Sequence, residues 1–285
     1  EKSGPKLSHH LQSLPLVQQL ITFLTIKNAT LHEGSLYTMN KLIISLRKEM
    51  IPLIPNLLNI FLISQESGNT IIIKRSTVLL DSIFTKVVDR DEISMSDIKK
   101  LIDILVAQAK NLNLDVSTRL VLFNTLGDII HAIRISAEPF LEIYRNVIVD
   151  YQNMPDVNPL IDVEIASDLF VAVFDGFRYL YEASCGTEFK KSFFQELRKN
   201  ILKYMVHISQ FDESFTVSVK LSILEFIKVV FDCTSRKEDM MDIKISMIVH
   251  QNQIVNTILR KLSNDSYQKV SNKAIGIIST YLEMR

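Results

Sequence analysis

The chain has 285 residues, 47% of them apolar, with Lys+Arg and Asp+Glu balanced at 32 each. A net charge of zero excludes a general pull toward nucleic acid or an anionic membrane, so charge must act locally. The length exceeds that of a usual single core, yet seven glycines and seven prolines leave no linker between two halves, which favours one repeat array over residues 1–285.

Ser13 followed by Leu14 and Pro15 opens the first helix, because a serine cap and a proline in the first turn satisfy two N-terminal constraints together; it runs to about residue 26. A second helix is expected over 33–48. Pro52 and Pro55 start a third, which carries Leu57, Leu58, Ile60, Phe61 and Leu62 and is closed by Ser67, Gly68 and Asn69. The fourth spans 70–88, and residues 70–73 are the only stretch that reads equally as strand. Ser94 and Asp97 have capping-box spacing, with Asp in place of Glu, and predict a helix to about 110. Helices follow over 115–133 and 137–151, a break lies at Pro155 to Pro159, and a long helix covers 160–183. The sequence Cys185-Gly186-Thr187 ends it and caps a helix over 188–210. Helices over 215–233, 242–261 and 267–284 complete about twelve.

The recurring pattern is clearest over residues 115–133. On a 3.6-residue period Leu122, Leu126, Ile129 and Ile133 fall on one side, with Phe123 and Ile130 beside them, while Ser117, Asn124, Asp128 and His131 line the other. Asp115 is placed to cap this helix, and Gly127 removes a side chain where a neighbouring helix needs to approach; Gly276 is expected to do the same near the C-terminus. Twelve helices over this length give a pair about every 40–50 residues, the range of HEAT and armadillo repeats. The expected fold is therefore all-α, an α-α superhelix of about six antiparallel helix pairs.

Leu126-Gly127-Asp128-Ile129-Ile130-His131-Ala132-Ile133, followed by Pro139-Phe140-Leu141-Glu142-Ile143, resembles the C-terminal HEAT repeats of the importin-β (karyopherin-β) family. The similarity continues through 160–183, 193–208, 254–262 and 271–275, and is specific from about residue 71 onward. What the resemblance implies is a nuclear import receptor segment, acting in cytoplasm and nucleus and at the nuclear envelope. Its second helices would line the concave side and bind the basic segment of an importin-α-type adaptor or a basic cargo. Phe-Gly nucleoporins would be candidates for grooves between the outer helices, and Ran would bind mainly through repeats outside this chain. One departure is the complete lack of Trp, which the family uses on its inner surface. The start at Glu1 without methionine leads us to expect a fragment of a longer chain.

Partner-binding candidates are the carboxylates on the polar stripes of second helices: Asp128, Glu164, Asp168, Asp175, Glu182 and Glu225, with Asp81 beside them. Singly, each serves equally well to solvate a helix face; stacked side by side, they would offer a cationic partner many weak contacts. Arg178 is the one cation expected on the stripe of helix 160–183. Catalysis is not expected, because no phosphate-binding glycine loop, HExxH motif or nucleophile elbow is present. Cys185 and Cys233 lack metal-ligand spacing and read as reduced thiols, and neither metal nor cofactor is implied. The longest apolar runs, 57–63 and 169–174, are far short of the ~20 residues of a membrane span. The alternative function is a HEAT scaffold of another kind, such as a tubulin-binding or phosphatase scaffold; the acidic turns 89–92 and 212–213 argue against the tubulin type, which presents basic loop tips.

Overall fold

In the computed structural model, residues 15–25, 28–87, 93–154, 163–184, 216–234 and 255–283 are described, and no strand occurs among them. Pro15 opens α1 (Pro15–Thr25). The next helix, α2 (Ala29–Leu46), begins four residues before the expected start, because the Asn28 side chain accepts from the N–H groups of Thr30 and Leu31, both at 3.1 Å. One repeat later Asn69 does the same for α4 (Thr70–Lys86), accepting from Ile71 N–H at 3.0 Å and Ile72 N–H at 3.3 Å. That cap settles residues 70–73 as the first turn of a helix and not a strand. Between them, α3 (Ile54–Gln65) ends in a turn where Gly68 takes a φ of 66°, a conformation that glycine alone adopts without strain.

Ser94 caps α5 (Met95–Ala109) by accepting from Asp97 N–H at 3.2 Å. The shorter Asp97 side chain is met by the Ser94 hydroxyl itself, which donates to its carboxylate at 2.7 Å. Asp115 caps α6 (Val116–Ile133) as expected, taking the Thr118 N–H at 2.9 Å and the Thr118 hydroxyl at 2.8 Å. All six apolar residues predicted for the inner face of α6 are buried, and Ser117, Asn124 and His131 are exposed, but Thr118, Arg119, Thr125 and Gly127 are buried too. The buried face is wider than the periodicity indicates because α6 packs against both α4 and α5.

The helix expected over 137–151 splits into a 3-10 segment, Arg134–Phe140, and α7 (Leu141–Gln152). A matching 3-10 segment, Arg47–Leu53, joins α2 to α3. Both begin with an arginine at positive φ (Arg47 50°, Arg134 48°) and carry a proline five residues on, Pro52 and Pro139. A residue at positive φ cannot continue the right-handed helix before it, and the proline fixes its own φ inside the 3-10 segment that follows. Further on lie α8 (Val163–Ser184) and α9 (Val217–Thr234), then a π turn, Val255–Leu259, that runs into the single turn α10 (Arg260–Leu262), and α11 (Gln268–Glu283). The break at Pro155 to Pro159, the helix over 188–210 with its cap, Cys185 and most of the helix expected over 242–261 lie outside the described residues.

The chain divides into two units, Glu1–Ile133 and Arg134–Arg285. In the first, α1 pairs with α2, α3 with α4 and α5 with α6, while α2, α4 and α6 pack side by side as a row of second helices. In the second, α7 pairs with α8, α10 with α11, and the row is α8, α9, α11. The core lies between first and second helices, with Phe61, Leu79, Leu105, Phe123 and Leu126 in one unit and Tyr144, Phe174, Phe177, Leu180 and Phe226 in the other. Buried polar side chains of the first unit are bonded across helices. His32 Nε2 meets Ser64 Oγ at 3.1 Å, and Gln65 donates to Ser76 Oγ at 2.9 Å. Burial holds the His32 pKa below its ordinary value.

Gly276 overturns one expectation. It lies exposed on α11, and a Cβ there would meet nothing within 4 Å, so no neighbouring helix needs its bare backbone. Gly276→Ala is therefore expected to raise stability, by about 0.5–1 kcal/mol, through helix propensity alone. A melting temperature lowered by this change in a thermal scan would show that the backbone approach is needed after all.

Candidate partner-binding face

The second-helix row of the Arg134–Arg285 unit carries four of the six candidate carboxylates on α8 alone. Residues 164, 168, 175 and 182 are separated by four, seven and seven positions, which keeps them on one stripe of a 3.6-residue helix. The opposite side of α8 buries Leu169, Ala172, Val173, Phe174, Phe177 and Leu180. Ile165, earlier on the helix, is only half-buried.

The stripe is not uniform. Glu164 and Asp168, in the first turns, are exposed, and no cation among the described residues pairs with either. Asp175 and Glu182 are half-buried. Asp175 meets the Arg178 guanidinium at 3.5 Å. Burial raises the Asp175 pKa, with Glu182 adding to the effect and Arg178 opposing it. Burial works against the Arg178 charge, but Asp175, Tyr179 and Glu182 together outweigh it and hold its pKa up. The guanidinium also lies 4.7 Å from the centre of the Tyr179 ring, so it is fixed by two kinds of contact at once.

Glu225, on α9, is bonded to Lys273 of α11. Burial, with repulsion from Arg178, lowers the Lys273 pKa. The row thus carries two ion pairs, Asp175–Arg178 within α8 and Glu225–Lys273 between α9 and α11. A second interhelix pair, Lys220–Asp265 at 2.6 Å, joins the first turn of α9 to the turn before α11. Asp128 lies in the other unit, half-buried on α6, with Asp81 half-buried on α4. The geometry so far brings Glu164, Asp168, Asp175 and Glu182 onto one helix and Glu225 onto its neighbour.

Lys273, Lys220 and Asp265 were not singled out by sequence reasoning. A usable signal existed: the two pairs span 48 and 45 residues, close to one repeat. Residues on neighbouring second helices at the same height must differ by about that number, so an acid and a base one repeat apart are candidates for contact. Among the described residues no group of three His, Cys, Asp or Glu side chains could hold a metal ion, and no helix is long and apolar enough to cross a membrane.

No protein-family model matches the chain, and no curated protein matches it. Among solved structures it is similar to importin beta, crystallised in a polyethylene glycol condition, with a TM-score of 0.76 at 14% identity. The match covers 99% of this chain and 33% of that one, so the chain spans about a third of the length of the importin beta it matches. A likeness at this identity concerns fold alone. The fold class is all-α, the HEAT-type α-α superhelix of stacked helical hairpins, and the fold matched is that of a helical scaffold.

Proposed function

We propose that the chain is a length of a nuclear-transport-type scaffold, one array of hairpins over residues 1–285, that holds a basic segment of an adaptor or cargo along its second helices. The observation that carries this reading is the pair Glu164 and Asp168. They are exposed, one helical turn apart on a second helix, and free of cationic partners among the described residues. An Arg- or Lys-rich segment laid against α8 gains charge-assisted hydrogen bonds from both without breaking an internal pair. Asp175, Glu182 and Glu225 share this row, Asp175 opposed by Arg178 and Glu225 bonded to Lys273, while Asp128 and Asp81 are half-buried on the other row. Such a scaffold would work in cytoplasm and nucleus and at the nuclear envelope, with an importin-α-type adaptor as the leading partner.

The test is fluorescence anisotropy of a labelled Arg/Lys-rich peptide against the parent chain and the double variant Glu164→Gln, Asp168→Asn. Each solvated pair contributes about 0.2–1 kcal/mol, so losing both should lower affinity roughly two- to thirtyfold at low salt. The difference should shrink as screening shortens near 1 M salt. Both changed residues are exposed, so the melting temperature should stay put. Equal affinity of parent and variant at low salt would remove Glu164 and Asp168 from the site.

A further inference from the structure

The row of second helices in the Glu1–Ile133 unit carries a surface of the opposite sign. Tyr37, on α2, is 49% exposed although it stands in the middle of its helix. Two cations lie over its ring: Lys41 Nζ, one turn on, at 5.3 Å from the ring centre, and Arg75, from the neighbouring α4, at 5.6 Å. Glu33 fixes Arg75 from the other side at 3.3 Å. Next to Arg75, Lys74 reaches across to α6 and donates to Ser117 Oγ at 2.7 Å. Ile71, one turn before Arg75, is 54% exposed and adds apolar area to the patch.

The arrangement holds three cations close together mostly with neutral groups. Lys41 has the Tyr37 ring and Lys74 a hydroxyl; neither is paired with a carboxylate among the described residues. The two nearby carboxylates are engaged, Glu33 with Arg75 and Asp115 with the N–H and hydroxyl of Thr118. Lys74 is felt by Asp115 and helps to hold its carboxyl below the usual range, after burial, which acts upward, is outweighed by the Thr118 bonds. Asp81 and Asp128 stand farther along α4 and α6. Like charges held by a ring and a hydroxyl keep most of their capacity for an anion, and they are already ordered, so an anionic ligand loses little in fixing them.

We propose that the α2–α4–α6 row binds an acidic peptide segment of a partner protein, with Lys41 and Lys74 taking its carboxylates and the exposed Tyr37 ring and Ile71 taking its apolar side chains. Neighbouring helix axes lie about 8–10 Å apart, so a segment crossing the row meets Lys41 and Lys74 with acidic side chains a few residues apart. This site is independent of the one on α8 and selects the opposite charge.

The probe is a fluorescein-labelled polyglutamate peptide containing tyrosine, titrated with the whole chain at low and at physiological salt. The expected result is saturable binding that weakens with salt, with affinity lowered about tenfold in Lys41→Gln, Lys74→Gln, on the basis of two exposed ion pairs lost together. Tyr37→Leu should lower it by a few fold, since the ring orders Lys41 and Arg75. Circular dichroism of both variants should match that of the parent, because the changed side chains are at the surface or bonded to a surface hydroxyl. Glu164→Gln, Asp168→Asn should leave polyglutamate binding unchanged. Equal affinity of the double lysine variant and the parent would overturn the proposal. So would the absence of binding at low salt, or polyuridine RNA binding more tightly than polyglutamate and displacing it, which would make the surface a nucleic-acid site.

Discussion

Phe226→Ala is expected to produce the largest loss of stability among single changes in the second-helix rows. Phe226, on α9, is 1% exposed and Phe177, on α8, is 2% exposed, and their rings stand 6.1 Å apart at an interplanar angle of 36°. Two effects add. Removing a buried ring loses its transfer free energy and leaves a cavity, typically about 3–5 kcal/mol. Tilted aromatic pairs are further coupled by about 0.5–1.5 kcal/mol. Urea unfolding of Phe177→Ala, Phe226→Ala and the double variant would measure that coupling as the deviation from additivity. Lys228→Ala, at an exposed position two residues along α9, serves as the control and should change stability by no more than about 0.5 kcal/mol. A Phe226→Ala loss below about 1 kcal/mol would mean that α8 and α9 are not held together through these rings.

The helices themselves were legible because their signals are local. Ser94, Asp115 and Pro55 act on their own first turns, and the apolar period of 115–133 needs only one helix to be read. Asn28 carries the same kind of signal, but the expected start at residue 33 lies past its cap, and Glu33 is an interhelix partner of Arg75. The 3-10 segments were hidden for a different reason. Nothing in Arg47 or Arg134 favours positive φ, so the residues themselves do not mark where the preceding helix stops. Gly276 misled because a glycine's purpose depends on what lies above it, which periodicity does not contain.

The candidate site was legible in kind and not in detail. Helical spacing alone places Glu164, Asp168, Asp175 and Glu182 on one stripe. Which of them are free depends on cations that come from the same helix or from one repeat away. Arg178 could be seen beside Asp175 at i, i+3. Lys273 becomes a partner of Glu225 only once α9 and α11 are known to run side by side. The same rule of one repeat's separation covers the first unit, where Arg75 meets Glu33 across 42 residues and Lys74 meets Ser117 across 43. Polar contacts along such a row are spaced by the repeat length because parallel neighbours at one height differ by one repeat.

Asp265→Asn is expected to destabilise the second unit by about 1–3 kcal/mol, more than the loss of an exposed ion pair. The Lys220 and Asp265 side chains are only 12% and 7% exposed and meet at 2.6 Å. Asp265 also accepts the Tyr267 N–H at 2.9 Å through its other oxygen. Asparagine can keep that second bond, so the substitution isolates the charge and leaves a lysine poorly solvated with no counter-ion. Lys220→Met combined with Asp265→Asn should recover most of the loss, because removing both charges also removes the desolvation that each pays. Burial acts upward on the Asp265 carboxyl, but the Lys220 contact and the Tyr267 N–H outweigh it and hold its pKa below the ordinary value. The sign follows directly. The unfolded chain takes up this proton near pH 3.9 and the folded chain only at lower pH. The pair's contribution is therefore fully present above about pH 4 and is lost as pH falls from there through the folded value. Parent and Asp265→Asn should then differ in stability at pH 7 by an amount that shrinks toward pH 2, where a protonated Asp265 resembles the asparagine. High salt should reduce it only in part, since a part-buried pair is screened less than the exposed pair Arg145–Glu142. An Asp265→Asn variant as stable as the parent across that range would show that Lys220 reaches solvent without its partner.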